Sequence, residues 1–377
     1  MEKFAFIIHP IDPRRDMARH PKYWYAKYMP ESVIERFMKK KEPLIASHIT
    51  GIRSATGVEA EGWFVACPLS PRLFMSEPED FIYHRLIQCG KIAQDLGAKI
   101  IGLGAFTSVV GDGGVTVAKN LNIAVTTGNS YTVATAIEAA VDGARRMGIE
   151  LPNATVAVVG ATGSIGKTCA SILSHQAGAV VLIGRDPEKL DATKAEMPAP
   201  NAGKISTSTD IAFGLRDADI VVTVTSAVDV VVQPEHLKIG AVVCDVARPR
   251  DVSVRVARER NDVLVVEGGV VAVPGPDVNF GMSFGFPPKT AYACMSETMM
   301  LALEGRYESF TLGKSVSVAQ VEQTTMLAKK HGFHLAGYRS FEKAVSEEAI
   351  GAIRANADRK RAAGLPSAAR SPQPAAR

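Results

Sequence analysis

The sequence contains few cysteines, and their pattern excludes the usual cysteine-based structures. There are five cysteines in 377 residues. An odd number with wide spacing and no CxxC pair argues against a disulfide framework and against a zinc site. We therefore expect a reducing, cytoplasmic environment and no bound metal. The cysteines are Cys67, Cys89, Cys169, Cys244 and Cys294.

Net charge and long apolar runs are also scarce. The formal net charge is only +4, which gives no indication of nucleic acid as a partner. The N-terminal apolar run is too short for a signal peptide, and no stretch approaches the roughly 18 apolar residues of a membrane span. The sequence thus predicts a cytoplasmic protein without an integral membrane segment, and it leaves open only peripheral membrane contact.

The composition and length indicate a folded protein of two domains. Apolar residues make up 46% of the chain and charged residues 22%, which is typical of globular proteins. We predict an N-terminal α/β substrate domain at residues 1–150, a nucleotide-binding domain at 151–272, and a C-terminal helical segment at 273–355 that packs on the substrate domain. Residues 356–377 have almost no large apolar side chains and are predicted to be disordered.

Short apolar segments alternate with segments of helical spacing through much of the chain. Strands are predicted at residues 155–159, 180–183, 220–225, 241–245 and 263–266, and helices at 79–96, 130–147, 290–304 and 318–331. Such alternation predicts an α/β fold, with a Rossmann-type doubly wound parallel sheet. The second α/β domain, which would bind the substrate, is built from the N-terminal and C-terminal segments.

A glycine-rich turn follows the first strand of the predicted nucleotide-binding domain. Residues 160–166 read GATGSIG, and small residues there let the backbone approach a pyrophosphate while the next helix favours its negative charge. The order strand, turn, helix, strand favours nucleotide binding over a purely structural turn. We expect Gly163 and Gly166 to be hard to replace. The predicted cofactor contacts here are Gly160, Thr162, Gly163, Ser164, Ile165 and Gly166.

The second strand of this unit ends before residues that distinguish the two nicotinamide cofactors. An acidic residue there would bind the ribose hydroxyls of NAD, whereas an arginine would accommodate the 2′-phosphate of NADP. Arg185 precedes Asp186, which favours NADPH. The alternative is that Arg185 is only solvated and Asp186 caps the helix that starts near Pro187. Thr225 and Ser226, at the end of a later strand, are predicted to line the cofactor pocket.

Cys294 lies near the start of a predicted apolar helix that follows a loop rich in Gly, Pro and Phe. A helix N-terminus favours a thiolate, but only within about the first turn, so the effect requires a helix that begins later than Pro288 suggests. Without further support, a small buried core residue is the usual explanation for such a cysteine.

Several segments together resemble the cyanobacterial long-chain acyl-ACP reductases, which reduce a fatty acyl thioester to an aldehyde with NADPH. The resemblance implies that Cys294 is the acyl acceptor and that the substrate is a thioester of acyl carrier protein or of coenzyme A. An aldehyde product implies an aldehyde-consuming enzyme as a further partner. The segments are residues 104–108, 126–129, 155–166, 267–271 and 292–305.

Acyl transfer to a thiolate and hydride reduction both develop an oxyanion that needs hydrogen-bond donors. Thr107, Ser108 and Asn129 follow strand ends and are candidates, although the default role of such residues is turn capping. Glu297 lies three residues after Cys294 in the predicted helix; we expect it to be solvated or paired with a lysine, and the alternative is that it orients a partner or raises the pKa of the thiol. An apolar set is a candidate acyl channel, with core packing as the alternative: Phe280, Met282, Phe284, Phe286, Met295 and Met299.

Two other functions are compatible with the sequence. A dehydrogenase of a small polar substrate, similar to shikimate dehydrogenase, would need a Lys and Asp pair in the first domain, for which Lys99 and Lys119 are available. A non-catalytic nucleotide-sensing protein would retain the Rossmann domain without turnover.

Overall fold

The computed structural model describes residues 1–18, 21–198, 203–227, 229–283 and 285–365. The chain forms two compact units, each built from two segments. Unit 1 comprises Met1–Thr135 and Gly269–Ala336, and unit 2 comprises Ala136–Gly268 and the residues from Gly337 onward.

Helices and strands alternate along most of the described chain. The first part contains β1 (Glu2–Ile8), α1 (Pro13–Ala18), α2 (Glu31–Lys39), β2 (Leu44–Arg53), β3 (Glu59–Ala66), α3 (Pro71–Ser76), α4 (Glu79–Asp95), β4 (Ile100–Gly102), α5 (Phe106–Val109), α6 (Val115–Lys119), β5 (Ala124–Thr126) and α7 (Asn129–Arg146). The second contains β6 (Thr155–Val159), α8 (Ser164–Ser174), β7 (Ala179–Ile183), α9 (Pro187–Ala195), β8 (Ile205–Ser208), α10 (Ile211–Leu215), β9 (Ile220–Thr223), β10 (Val242–Asp245), α11 (Val254–Glu259) and β11 (Leu264–Glu267).

The last part contains β12 (Val270–Ala272), β13 (Thr290–Tyr292), α12 (Ala293–Leu303), α13 (Val318–His331), β14 (His334–Leu335), β15 (Arg339–Ser340), β16 (Lys343–Ala344) and α14 (Glu347–Ala362). Short 3₁₀ turns occur at Pro21–Tyr28, Leu151–Asn153 and Pro234–His236.

Unit 1 is built on a five-stranded sheet in the order β2-β3-β1-β4-β5. All neighbouring pairs are parallel except β2 with β3. One face buries Phe4 and Phe6 in a core with Met299 and Met300 of α12. The other face buries residues of α3 and α4 in a second core. The apolar α12 therefore has a buried place directly against the sheet.

Unit 2 is a six-stranded, all-parallel sheet in the order β11-β10-β9-β6-β7-β8. Counted from β6 as the first strand, this is the 3-2-1-4-5-6 order of doubly wound nucleotide-binding folds. The order reverses at β6, so the glycine turn that follows β6 lies at the switch point where such folds bind their ligands. The predicted fold class is confirmed.

The C-terminal residues differ from the sequence-based bounds. The sequence predicts residues 337–355 on the substrate domain, yet they belong to unit 2, and residues 356–362 continue the helix α14 instead of a disordered tail. Ala357 of α14 is fully buried, Lys360 pairs with Asp262 at 2.6 Å, and Arg361 donates to the Ile239 carbonyl at 3.1 Å. Polar anchors therefore hold a helix whose composition is poor in apolar residues. The rest of the predicted tail lies outside the described residues.

Candidate functional site

Cys294 differs from the other cysteines in its exposure. All five cysteines lie in the described part of the chain, and four of them are buried whereas Cys294 is partly exposed. Burial raises the pKa of the Cys169 thiol to about 12, and it also raises the pKa values of Cys89 and Cys244. A buried thiol with a raised pKa is a poor nucleophile at neutral pH. Among the cysteines, Cys294 is therefore the one that a substrate can reach.

The helix that carries Cys294 begins later than the sequence predicts. Residues 290–292 form β13, which pairs antiparallel with β12, so α12 starts at Ala293 and the predicted start at residue 290 is wrong. Cys294 is consequently the second helical residue. Backbone amides and the helix dipole favour negative charge in this first turn, which meets the condition that the sequence left open.

Two glycines bring the backbone close to Cys294. Gly128, at φ +73°, lies so near that a Cβ there would be 2.3 Å from the Cys294 Cα. A Cβ on Gly104 would be 3.3 Å from the Cys294 Sγ. Both glycines come from segments that follow parallel strands of the unit 1 sheet, β4 and β5. The thiol therefore lies at the carboxyl ends of these strands, where α/β proteins commonly place their reactive groups.

The residue after Gly104 has an unusual backbone conformation. Ala105 is at φ +47° and ψ −126°, a region that side chains disfavour because of steric contact with the backbone. Backbone strain of this kind is concentrated at functional sites. Its location beside Cys294 marks this turn as part of the site.

Glu297 is buried and holds the turn beside Cys294, so the expectation that it is solvated or paired with lysine is wrong. Its carboxylate accepts hydrogen bonds from the hydroxyls of Thr126 at 2.5 Å, Ser130 at 2.6 Å and Thr311 at 2.9 Å, and from the Tyr131 amide at 2.9 Å. Thr126 ends β5, and Ser130 and Tyr131 open α7. Glu297 therefore fixes both sides of Gly128 to the helix that carries Cys294. No sequence pattern indicates this role, because the partners of Glu297 are distant along the chain.

The three predicted oxyanion donors have different environments. The Thr107 hydroxyl donates to the Gly104 carbonyl at 2.8 Å, and the Ser108 hydroxyl donates to the Ala105 carbonyl at 2.8 Å. Both hydroxyls thus cap their own turn, which was the alternative role. Asn129 follows Gly128 directly and is the first residue of α7. Asn129 thus borders the Gly128 turn, whereas Thr107 and Ser108 belong to the Gly104 turn, and both turns approach Cys294.

The predicted apolar channel residues divide into core and surface positions. Phe280, Met295 and Met299 are buried in the core of unit 1. Met282 is exposed, and Phe286 packs edge-on against Tyr292 at 4.7 Å between ring centroids. Tyr292 caps α12 immediately before Ala293 and Cys294. Phe284 lies outside the described residues.

In unit 2, the glycine turn of residues 160–166 leaves no room for side chains at two positions. Gly160 is at φ +84°, and a Cβ on Gly166 would be 2.3 Å from the Gly160 carbonyl oxygen. At Gly163 the φ is −79° and the corresponding distance is 3.4 Å, which is an ordinary contact. The expectation that Gly163 is hard to replace thus finds no steric reason within the protein. A demand for glycine there would have to come from a bound ligand.

The turn also opens a helix of sufficient length to bind an anion. Ser164 is the first residue of the eleven-residue α8, and Ile165 and Gly166 complete its first three positions. Thr162 precedes the Gly163 cap and lies against Gly184 after β7. A helix N-terminus with a close backbone is suited to a pyrophosphate. The residues present therefore fit a dinucleotide.

Arg185 and Asp186 have separate environments after β7. Asp186 caps α9 by accepting from the Lys189 amide at 3.1 Å, and it pairs with the Lys189 ammonium at 3.2 Å. Hydrogen bonding by the Lys189 amide lowers the pKa of Asp186. The Arg185 side chain is exposed. The carboxylate is thus engaged by its helix although it is also in contact with solvent, and the Arg185 side chain is exposed beside it.

Thr225 and Ser226 lie beside the glycine turn, but the Thr225 side chain is already bound. A Cβ on Gly160 would be 3.2 Å from the Thr225 Cα. The Thr225 hydroxyl donates to Asp251 at 2.5 Å, and its amide donates to the same carboxylate at 2.9 Å. Thr225 therefore shapes the loop rather than presenting its hydroxyl. Ser226, the next residue, is partly exposed.

Two buried acids behind this loop were missed by sequence reasoning. Asp251 is fully buried, and burial raises its pKa. Asp245, at the end of β10, accepts from the amides of Ala247 at 3.1 Å and Val252 at 3.2 Å, and burial raises its pKa to about 6. These acids hold the loops at the carboxyl ends of β9 and β10. In the sequence, an isolated aspartate after a strand does not distinguish this role from solvation.

The described residues contain neither a metal-binding cluster nor a membrane-spanning helix. No group of three or more His, Cys, Asp or Glu side chains there could hold a metal ion. No helix in the described ranges is long and apolar enough to cross a membrane.

Comparisons with known proteins find one match within unit 2 and others that extend over most of the chain. The Shikimate / quinate 5-dehydrogenase family model matches residues 142–267. The chain is 28% identical over 357 residues to the long-chain acyl-[acyl-carrier-protein] reductase of Synechococcus elongatus, covering 88% of this chain and 98% of that protein. The resemblance to this reductase family is thereby confirmed. The comparisons support an oxidoreductase.

Two further proteins are similar to this chain. Aminotransferase PigE of a Serratia species is 29% identical over 353 residues, which cover 92% of this chain but only 41% of that protein. The chain thus spans about two fifths of that relative. The solved structure of a dipicolinate synthase from Bacillus halodurans has 17% identity and covers 50% of this chain and 61% of its own, with a TM-score of 0.32.

Proposed function

We propose, from the resemblance to the long-chain acyl-ACP reductases, that this protein reduces a fatty acyl thioester to a fatty aldehyde with NADPH through an acyl-Cys294 intermediate. The observation that carries the proposal is the environment of Cys294. It is the one partly exposed thiol of the described chain, it lies in the first turn of α12, and Gly104 and Gly128 approach it closely. A thioester carbonyl can reach Sγ because these neighbours lack side chains.

The proposed reaction consists of two steps at the carbonyl carbon, which are acyl transfer to Cys294 and then hydride transfer. The Cys294 thiolate attacks the thioester carbonyl, the bond to the carrier sulfur breaks, and the carrier leaves as a thiol with one proton. The new acyl–sulfur bond then breaks when hydride has been added to the carbonyl carbon, and the aldehyde departs while Sγ recovers its electron pair. A thiolate suits both roles because it is a good nucleophile and a good leaving group.

Asn129 is our candidate for stabilising the oxyanion, since it follows Gly128 at the start of α7 and Glu297 holds that turn. We assign Thr107 and Ser108 to shaping the Gly104 turn, on the basis of their hydrogen bonds. Acyl carrier protein is the proposed carrier because the relative of matching length is named for it, with coenzyme A as the alternative thioester.

The nucleotide-binding residues we propose are those of the 160–166 turn, with Arg185 for the 2′-phosphate and Ser226 at the pocket wall. The bound dinucleotide would supply the hydride. Asp186 remains a negative charge beside this position, and the Lys189 ammonium at 3.2 Å offsets part of its repulsion of a phosphate. We expect Arg185→Ala to weaken NADPH binding by about tenfold and to leave NADH binding nearly unchanged.

The match to the shikimate / quinate dehydrogenase family favours a second function, hydride transfer to a small polar substrate. That chemistry would need a Lys and Asp pair in unit 1. Lys99 pairs instead with Glu2 at 3.3 Å, and Lys119 is exposed at the end of α6. A nucleotide-sensing protein without turnover is the third alternative.

Intact-protein mass spectrometry tests the proposal. Purified protein is mixed with a long-chain acyl thioester in the absence of NADPH, and wild type is compared with Cys294→Ala and with the buried-thiol control Cys169→Ala. We expect a mass gain of one acyl group on wild type and on the control, none on Cys294→Ala, and release as aldehyde when NADPH is added. An equal adduct on Cys294→Ala, or no adduct with any chain length or carrier, would contradict the proposed role of Cys294 as acyl acceptor.

A further inference from the structure

We call residues 13–41 the N-terminal basic segment, and its described residues, 13–18 and 21–41, form a small substructure within unit 1. It contains α1, the 3₁₀ turn Pro21–Tyr28 and α2. Three of its buried residues, Ala26, Ile34 and Met38, form a core cluster of their own. Met17, Ala18 and Met29 pack against this small core while remaining partly exposed.

The outward side of the segment is unusually aromatic. Trp24 is 59% exposed, Tyr25 45%, Tyr28 73% and Phe37 42%. Within the described chain, these are four of the five exposed aromatic side chains, the fifth being Phe213. Trp24 makes edge contacts with Tyr25 at 6.3 Å and with Tyr28 at 6.4 Å between ring centroids. The rings contact one another at the surface, and concentrated apolar surface of this kind indicates a binding face.

The same segment carries a concentrated positive charge. It holds nine Lys and Arg against three Asp and Glu, a net charge of +6, whereas the whole chain has +4. Two of its acids are engaged locally, since Asp16 accepts backbone amides and Glu35 accepts the Ser70 hydroxyl. Lys27 lies over the Tyr28 ring and Lys41 over the Phe37 ring, each at 4.8 Å. Cationic and aromatic groups therefore share one surface.

We propose that the N-terminal basic segment binds the surface of an anionic lipid membrane. Trp and Tyr rings have an apolar body and a polar edge, and they are favoured at the headgroup layer of a bilayer. Lys and Arg beside them are attracted to anionic lipid headgroups. An acidic protein would also satisfy the charges, and aromatic rings are common at protein interfaces, so a protein partner is one of the outcomes that the test below distinguishes. Binding is peripheral, and it is independent of the proposed reaction.

The two tryptophans of the chain allow a direct test. Trp63 lies in β3 and stacks on His48 at 5.2 Å, so Trp63→Phe leaves Trp24 as the single indole fluorophore. This variant is titrated with vesicles of phosphatidylcholine alone or of phosphatidylcholine with phosphatidylglycerol. We expect a blue shift of Trp24 emission and cosedimentation only with the phosphatidylglycerol vesicles, and both should decrease at high salt because ions screen the attraction.

Matched substitutions separate the aromatic and the cationic contributions. The triple variants Trp24→Ser/Tyr25→Ser/Tyr28→Ser and Lys27→Gln/Lys40→Gln/Lys41→Gln should each weaken vesicle binding by about tenfold or more. The control Phe213→Ser/Arg216→Gln removes an exposed aromatic–cation pair from unit 2, where Arg216 lies 4.9 Å from the Phe213 ring. This control should bind as wild type does. Circular dichroism checks that each variant is folded.

Three results would overturn the proposal. One is the absence of binding to phosphatidylglycerol vesicles, and another is equal binding by wild type and both triple variants. The third is binding of a purified acidic carrier protein that the same substitutions abolish, without any vesicle binding, because it would assign the surface to a protein partner. None of these measurements requires turnover, so failure of the proposed reaction leaves the result interpretable.

Discussion

The two glycine turns of the molecule have the same topology but are held in different ways. The turn at Gly160 in unit 2 and the turn at Gly128 in unit 1 each follow a parallel strand, precede a helix and contain a glycine of positive φ. Gly166 packs on the Gly160 carbonyl only six residues earlier, whereas Gly128 packs on Cys294. In our proposal, the first turn binds the dinucleotide through its backbone, and the second supports the Cys294 thiol.

Anchoring by a distant carboxylate is the main difference between these turns. Glu297 contributes four hydrogen-bond acceptor contacts to the segment around Gly128 and Thr311. The Gly160 turn is closed by its own backbone, since the Gly163 amide donates to the Gly160 carbonyl at 3.0 Å. A site assembled from distant segments therefore depends on one buried acid, and a local turn depends on small residues. Substitutions in each turn can test the two sides of this contrast separately.

The largest effect is expected from Glu297→Ala. The change leaves three hydroxyls and one amide without their buried acceptor, so we expect the free energy of unfolding to fall by about 3–5 kcal/mol. In Glu297→Gln, the NH₂ group of the new side chain would face hydrogen-bond donors that now bind the carboxylate. We expect the Gly128 turn to shift as a result, which should change the rate at which iodoacetamide alkylates Cys294. Urea unfolding and mass-resolved labelling measure the two effects. Glu322→Ala, at an exposed position of α13, is the control, and an equal effect there would contradict the anchoring role.

The same contrast explains which parts of the site can be predicted from the sequence. The Gly160 turn is recognisable because its glycines are contiguous in the sequence, although its amides also donate to the Ile183 carbonyl. The expectation for Glu297 is wrong because its acceptor role depends on Thr126, Ser130 and Thr311, which are 14 to 171 residues away. The start of α12 is misplaced for a similar reason, since Thr290–Tyr292 is a strand only because β12 pairs with it. Helical spacing cannot reveal such a partner.

The second prediction concerns Asp245, a buried acid of unit 2. Asp245 accepts hydrogen bonds from backbone amides, and burial nevertheless raises its pKa to about 6 from 3.8. A raised pKa in the folded state means that stability is fully present below about pH 4 and is lost as the pH rises through about 6. The loss amounts to about 3 kcal/mol, from about 1.36 kcal/mol per pKa unit.

Asp245→Asn should remove this pH dependence. Urea unfolding of both proteins between about pH 4 and pH 7 gives the difference in their free energies of unfolding. The free energy of unfolding of wild type should fall relative to that of Asp245→Asn as the pH rises. A difference that stays constant over this range would show that Asp245 titrates normally. The carboxyl resonance of Asp245 in an NMR titration gives an independent value of its pKa.

The third prediction compares two glycines of the same turn. Gly166→Ala would place a Cβ 2.3 Å from the Gly160 carbonyl oxygen, so the backbone must shift at a cost of about 1–3 kcal/mol. The turn would then fit a pyrophosphate less well, and we expect NADPH to bind at least about tenfold more weakly. Gly163→Ala, with a distance of 3.4 Å to the same atom, should unfold like wild type. Equal destabilisation by both variants would refute this steric account.

The smallest effect is expected at Ala105, the strained residue beside Cys294. Glycine tolerates φ +47° and ψ −126° better than alanine does, so Ala105→Gly should relieve strain. Because glycine also gives the unfolded chain more freedom, the net gain in the free energy of unfolding is at most about 1 kcal/mol. Ala118→Gly, within the regular helix α6, provides the opposite control and should lose about 1 kcal/mol. A loss of stability at both positions would mean that the Gly104–Ala105 turn is unstrained, and the anchoring of the neighbouring Gly128 turn by Glu297 would then be the main constraint around Cys294.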